Sequence, residues 1–338
     1  MVRNYMIDNA KVIMILLVVF GHLIEPIINN SNVLKLAWVS IYSFHMPVFI
    51  MLAGMVTQTC FTKEKVYKLN SSIAIPLLIF TIIYELFDFI TRGEFSNYTY
   101  NLQPYWILWF LYSLFIWKLV LPVFLELRYP LTASIIISIG AGYFDDIGYF
   151  LGVSRTIYFF PFFIIGYYLT YYDLLQRKAL NLSKIIYSSI LLLNVMFFWL
   201  LLDKSNKWLL GSLSYNNLEV DGLEGSLIRV TLYFVSIITS ISVLKLIPNV
   251  KLTISSLGAK SLYVFLWHGF FMKIILGIGL LRIIEAMGAF HTMTLLFLIA
   301  IAITWFLSID LVSNLTDKVL FKPFSNLILK KPSNCVRR

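Results

Sequence analysis

A lysine and a histidine, Lys11 and His22, bracket ten almost wholly apolar residues in the run Lys11-Val-Ile-Met-Ile-Leu-Leu-Val-Val-Phe-Gly-His22. Eleven positions at 3.6 residues per turn come to about three turns, which puts both on one helix face about 16 Å apart along its axis. An imidazole can take a proton from a hydroxyl near neutral pH, and a lysine can hold a carboxylate or a phosphate. Inside such an apolar span an ionisable residue is costly to expose to lipid, so it faces protein or a watery cavity. Asp8 sits one turn before Lys11 and can pair with it. The plainer reading also stands: Lys11 marks the end of a membrane helix and His22 is a packed, satisfied imidazole.

Three histidines fall in three separate apolar segments, His22, His45 and His268, and only His291 lies outside them. In Ser43-Phe44-His45-Met46-Pro47-Val48-Phe49, Pro47 removes a backbone donor and frees carbonyls beside His45. That pattern suits either a broken helix lining a cavity or an ordinary proline kink. His268 stands between Trp267 and Gly269. Arg155 precedes Tyr158-Phe-Phe-Pro161-Phe-Phe-Ile-Ile-Gly166-Tyr167-Tyr168, where an arginine at a helix end can snorkel. Trp106, Trp109 and Trp117, close after Tyr98, Tyr100 and Tyr105, have the composition of an interfacial aromatic belt.

The elements that must position these residues are membrane helices. Hydrophobic residues make up 59% and charged residues 13% of the 338, and mean hydropathy is +0.83, far from a soluble domain. Segments apolar enough to cross a bilayer fall roughly at 11–29, 36–58, 72–90, 105–126, 130–144, 156–173, 185–202, 227–247, 260–281 and 292–315. This predicts an all-α polytopic membrane protein of about ten transmembrane helices, the fifth of them short. The first segment is too long for a signal-peptide core, and no small-residue cleavage site precedes the Glu25-Pro26 turn. With the N-terminus inside, 18 of the 27 basic residues fall in cytoplasmic segments and 7 in the opposite loops, so both termini are predicted to be cytoplasmic. The formal charge of +10 is then a matter of topology and of attraction to anionic membrane lipid, and nucleic acid is not needed to explain it. Cys60 and Cys335 both fall on the predicted cytoplasmic side, where no disulfide is expected. No metal-ligand spacing and no phosphate-cradling glycine loop occurs, so no metal site is predicted. The longest outward loop, roughly 203–226, holds Trp208, Tyr215, Glu219, Asp221 and Glu224, enough for a lid or an acceptor contact.

The stretches Ile7-Asp8-Asn9-Ala10-Lys11 through Leu17-Val-Val-Phe-Gly-His22, Ser43-Phe44-His45-Met46-Pro47-Val48-Phe49 ending in Ala53-Gly54, Trp109-Phe-Leu, and Pro161-Phe-Phe-Ile-Ile-Gly166-Tyr167 follow one another in that order. In this order they resemble the membrane acyltransferase type 3 family, and within it the fucose 4-O-acetylase-like branch. The likeness runs along nearly the whole chain; its first motif, D-x-x-[RK]-x10-H, is the most specific. The resemblance implies one integral membrane acyltransferase domain over 1–322 and a basic cytoplasmic tail over 323–338. It implies acetyl-CoA, or another short acyl-CoA, as a cytoplasmic donor substrate, with no permanently bound cofactor. The acceptor would be a hydroxyl of a carbohydrate or glycolipid of the cell envelope, and polysaccharide-synthesis machinery a possible partner.

Carried onto this sequence, the resemblance makes His22 the central catalytic residue, with Lys11 and Asp8 beside it in the motif. His45, Trp109, Arg155 and His268 become candidate substrate-binding residues. Lys11, Lys65 and Lys68 become candidates for the CoA phosphates. Two departures stand out. Asn70, Ser71, Ser72 and Ile73 precede Pro76 where many relatives carry arginines, and no hydrolase-like domain follows the last span. In such a reaction His22 would act as base, an effect on the order of 10²–10⁴ in rate, or would carry the acyl group as an acetyl-histidine. The competing class is a transporter or flippase without covalent chemistry, which broken helices and midplane polar residues also suit. Against it stand the lack of an internal repeat and the scarcity of acidic residues within the spans, chiefly Glu85, Asp88 and Asp310.

Reporter fusions test the topology. Those after Lys68, Arg177 and Lys331 are expected to read cytoplasmic and those near Asn97 and Asn217 external; a cytoplasmic signal at Asn217 would break the ten-span arrangement.

Overall fold

The computed structural model describes residues 4–59, 62–148, 150–202, 204 and 206–330. Cys60, Cys335 and residues 331–338 of the basic tail lie outside the described residues. Among the described residues there are helices and no strand.

The order is α1 (Tyr5–Ile24), α2 (Asn32–Tyr42), α3 (His45–Met55), α4 (Lys63–Leu69), α5 (Ile75–Arg92), α6 (Asn97–Tyr100), α7 (Trp109–Leu125), α8 (Pro130–Ala141) and α9 (Val153–Tyr171). Then come α10 (Lys184–Leu200), α11 (Gly222–Leu246), α12 (Ser255–Gly258), α13 (Ser261–Gly277), α14 (Leu280–Glu285), α15 (Ala289–Leu307), α16 (Asp310–Thr316) and α17 (Lys322–Ile328). Among the described residues, seven helical stretches are long and apolar enough to cross a membrane: Tyr5–Asn30, Asn32–Met55, Lys63–Arg92, Trp106–Leu125, Phe150–Tyr171, Gly222–Leu246 and Ala289–Leu307. Three shorter apolar helices, Pro130–Ala141, Lys184–Leu200 and Ser261–Gly277, occupy the remaining segments expected to span. Large apolar side chains such as Ile185, Leu192, Leu298 and Trp305 are exposed along these helices. A bilayer, not water, suits that surface.

Helix α1 runs through the middle of the bundle, against α3, α12, α13 and α15, and its Met14, Ile15, Val19, Leu23 and Ile24 are fully buried. Its N-terminus is fixed from two sides. The backbone N–H of Met6 donates to the side chains of Asn4 at 3.1 Å and Asn249 at 3.0 Å. Buried Asn9 donates to the carbonyls of Pro248 at 2.9 Å and Val250 at 3.0 Å and accepts from the Ser255 hydroxyl at 2.6 Å. Asn9, inside the motif of the first span, is thus a structural pin that ties α1 to the segment before α13.

Helices α3 and α9 approach closely. A Cβ on Gly54 would lie 2.2 Å from the Phe163 carbonyl oxygen, and one on Gly166 would lie 2.1 Å from that of Met51. Two backbones this near require glycine at both positions, as at helix contacts in membranes generally.

One open alternative is decided and two expectations are corrected. The second span breaks at Ser43–Phe44, where Phe44 has φ −135°, and Pro47 sits harmlessly in the first turn of α3, whose donors need no helical partner. The tryptophans do not form a belt: Trp117 is buried and donates its indole N–H to the Thr156 carbonyl at 2.8 Å, while Trp106 and Trp109 face the interior. Asp310 begins α16, beyond the last long apolar helix, and pairs with Lys260 at 2.6 Å.

Gly166→Val is expected to destabilise the protein by at least about 1–3 kcal/mol, read as a lower melting temperature in detergent. Gly140→Ala, with nothing within 4 Å of the added carbon, should leave it unchanged.

Candidate active site

His22 lies on the last turn of α1, and Pro26 in the following 3-10 turn, Glu25–Asn30, ends regular helix there. That change of pitch brings Glu25 under the imidazole: its carboxylate Oε2 is 2.9 Å from His22 Nδ1. An imidazole that gives its Nδ1 proton to a carboxylate carries its lone pair on Nε2. Tyr42 donates its hydroxyl to the same carboxylate oxygen at 3.3 Å and is itself stacked on Trp38, ring centroids 3.7 Å apart.

The other two histidines are oriented by helix carbonyls. The break after Tyr42 exposes the Ile41 carbonyl, and His45 Nδ1 donates to it at 2.9 Å. His268 Nδ1 donates to the carbonyls of Phe265 at 2.7 Å and Val264 at 3.1 Å. Its fully buried ring stacks on that of His22, centroids 5.5 Å apart and planes 27° apart. Trp106 closes the other side of His22 edge-on at 5.2 Å. It does so from a strained backbone, φ +22°, a conformation that costs on the order of 1–3 kcal/mol and persists only where its surroundings impose it. Arg155, on the first turn of α9, lies 5.3 Å over the ring of Trp109. It faces inward and does not snorkel.

These groups line one cavity of about 670 Å³, a volume in the range of small-molecule sites. His22, Glu25, Tyr42, His45, Trp109 and Arg155 form one part of its wall; Asp88, Arg92, Tyr105 and Lys273 form another. Its lining includes Leu209 and Leu210 of the loop before α11. Arg229 holds this loop to the bundle, placed between the rings of Tyr158 at 5.3 Å and Tyr215 at 4.8 Å and donating to the carbonyls of Ser138 at 2.7 Å and Leu213 at 3.3 Å. Asp145 anchors the same loop from α8's side by accepting from Ser214 and Asn216, bonds that hold its carboxyl below the usual carboxylate range.

The structure therefore brings together His22, His45, Trp109 and Arg155, with His268 packed behind His22. Lys11, Asp8, Lys65 and Lys68 lie elsewhere, since about three helical turns separate Lys11 from His22. At that far end Lys118, inside α7, donates to the Thr57 hydroxyl at 3.0 Å and feels the charges of Lys11 and Lys68. The π-helical turn Asn70–Ala74, where the arginines of many relatives would stand, packs on α7. Thr57 and Lys65 share a hollow of about 350 Å³ with Gln58, Thr59 and Tyr167. Among the described residues no group of three His, Cys, Asp or Glu is placed to hold a metal ion. Residue-level reading missed Glu25, Tyr42, Asp88, Lys118 and Lys273; for Glu25 the i, i+3 spacing from His22 was a usable signal.

A helical bundle with an apolar outer surface and long apolar helices fits a polytopic membrane protein. The family model described as an acyltransferase domain matches residues 4–309, and the chain belongs to that family. It is 30% identical over 182 residues to nodulation protein NolL of Sinorhizobium fredii (strain NBRC 101917 / NGR234). That match covers 49% of this chain and 48% of the relative, so it spans about half of each. No solved structure matches the chain.

Glu25→Gln tests the pair. It keeps the shape beside His22 but removes the charge that holds the Nδ1 proton and steadies an imidazolium. Acyl-transfer turnover is expected to fall by about 10²–10⁴ while the melting temperature in detergent stays close to that of the wild type; unchanged turnover would show that Glu25 does not orient the base.

Proposed function

We propose that the protein is an integral membrane O-acyltransferase. It moves an acetyl or other short acyl group from acyl-CoA to a hydroxyl of a cell-envelope or extracellular carbohydrate or glycolipid. The observation that carries this reading is the His22–Glu25 pair in the wall of a cavity, in a chain that belongs to an acyltransferase family.

A thioester is already activated, so the acceptor needs only a base. His22 Nε2 takes the proton from the acceptor hydroxyl as its oxygen attacks the thioester carbonyl carbon. Glu25 stabilises the imidazolium that results. When the tetrahedral intermediate collapses, the C–S bond breaks and the CoA thiolate leaves, taking up the proton that the imidazolium releases. Arg155, held over Trp109, is the charged donor of the wall best suited to the oxyanion. In the relay variant the same Nε2 attacks first and passes the acyl group on as acetyl-histidine. His45 and His268, each with Nδ1 committed to a carbonyl, hold the wall in one arrangement.

The donor's phosphates bind at the Lys11 end, where Lys65, Lys68 and Lys118 add positive charge. On the distribution of basic residues that end faces the cytoplasm and the His22 cavity faces outward, in the cytoplasmic membrane of a bacterium. The motif order favours the fucose 4-O-acetylase-like branch, and polysaccharide-synthesis machinery is the natural source of acceptor.

Labelled acetyl-CoA supplied to purified protein with total cell-envelope carbohydrate should label the carbohydrate. His22→Gln, which keeps volume but cannot take up a proton, should abolish labelling. Transport of carbohydrate without incorporation would instead identify a carrier. At the other end, Lys11→Ala and Lys118→Ala should each lower kcat/KM for the donor about tenfold to a hundredfold, the size of a charge-assisted contact, while Lys11→Arg keeps most of it.

A further inference from the structure

The cavity wall holds a second polar cluster that the chemistry at His22 does not use. Asp88 on α5 and Lys273 on α13 form an ion pair deep in the wall, their side chains 3% and 13% exposed. The other Asp88 oxygen accepts the Tyr105 hydroxyl at 2.6 Å. Arg92, one turn further along α5, approaches Asp88 at 3.9 Å and is 64% exposed. All four residues line the same cavity as His22.

What this cluster offers to a ligand follows from which groups are already engaged. Both carboxylates of the cavity are occupied from within the wall, Glu25 by His22 and Tyr42, Asp88 by Lys273 and Tyr105. The cations keep capacity. Lys273 makes one hydrogen bond among the described residues, and an ammonium has three donors. The Arg92 guanidinium contacts Asp88 through Nε alone, which leaves the fork of its terminal nitrogens to the cavity mouth. Two cations flank Asp88, and the nearby Glu85 carboxylate is engaged by the Ser96 N–H and hydroxyl, so the hydrogen-bonding groups left to a ligand in this half are cationic donors. The rings of Tyr105 and Phe87, 5.3 and 5.7 Å from the Lys273 ammonium, shield it from water and so strengthen its pull on an anion. An ion pair this deep returns little stability for its desolvation cost, but it holds an ammonium in a fixed place. The two halves of the cavity are joined by consecutive residues: Tyr105 reaches Asp88, and strained Trp106 packs on His22.

We propose that Lys273 and Arg92 bind an anionic group on the acceptor, a carboxylate or a phosphate, and so present its neighbouring hydroxyl to Nε2 of His22. The acceptor class is then an acidic sugar or a sugar phosphate. The proposal rests on the reading of the His22 cavity as the acceptor site.

Binding and transfer test it separately. Methyl glucuronide, glucose 6-phosphate and neutral methyl glucoside are titrated into purified wild type, Arg92→Gln, Arg92→Lys and the double variant Asp88→Asn with Lys273→Met, which removes the pair together and leaves no lone buried charge. In wild type at least one acidic sugar should bind about tenfold or more tightly than the glucoside, and which one does distinguishes carboxylate from phosphate. The preference should shrink in Arg92→Gln, survive in Arg92→Lys and vanish in the double variant. Equal or undetectable binding of all three sugars, or a preference that persists in the double variant, overturns the proposal. Acetyl transfer to the same three sugars keeps the two readings apart. Transfer without acid preference removes the anionic subsite and leaves the acyltransferase; acid-selective binding without any transfer does the reverse.

Discussion

The contact between Glu25 and His22 sets the terms for the rest of the site. In the wall of the cavity a carboxylate needs hydrogen-bond donors, and Glu25, its side chain 34% exposed, takes them from the imidazole Nδ1 and the Tyr42 hydroxyl. That requirement assigns the imidazole tautomer. It also fixes the position of α2, because Tyr42 must reach across from it, and the packing of Tyr42 on Trp38 keeps it there. The same logic repeats at His45 and His268, whose Nδ1 protons go to helix carbonyls. Three imidazoles thus share one tautomer, each for a local reason of hydrogen-bond supply.

Interrupted helices put these groups where they are. The first span loses its regular pitch at Glu25-Pro26, and the second is broken between Tyr42 and His45. The chain before α7 turns sharply at Tyr105 and Trp106. In lipid such breaks leave backbone groups unpaired, so they are confined to places where protein or a polar cavity supplies partners. Here all of them open toward one cavity. The glycine crossing of α3 and α9 is the rigid counterpart. With Gly54 against the Phe163 carbonyl and Gly166 against that of Met51, His45 at one end of α3 and Arg155 at the start of α9 cannot drift apart without prising two backbones from contact.

The all-helical membrane character and the placement of ten apolar segments were legible because they rest on local runs of residues, which a single chain reveals directly. His22, His45, Trp109 and Arg155 were legible because they stand out chemically in apolar company. Partners supplied by another helix were not. Nothing local links Asp88 to Lys273, separated by 185 positions, or Lys118 to Thr57. The tryptophans misled for a related reason: an aromatic cluster at a helix end reads alike whether it faces headgroups or a cavity, and only packing against α9 and His22 decides. Asp8 and Lys11 were grouped with His22 by sequence motif, yet helical rise alone keeps them at the opposite end.

The central claim is that His22 presents a bare Nε2 because Glu25 holds the proton on Nδ1. With four histidines in the chain, nitrogen-15 NMR of protein labelled at histidine, assigned through single histidine-to-glutamine variants, reads this directly. The account predicts that at neutral pH the His22 Nδ1 resonates as a protonated nitrogen hydrogen-bonded to a carboxylate and Nε2 as a nitrogen with a free lone pair, and that Glu25→Gln alters the Nδ1 signal most. A His22 spectrum with the proton on Nε2, or one indifferent to Glu25→Gln, would contradict it.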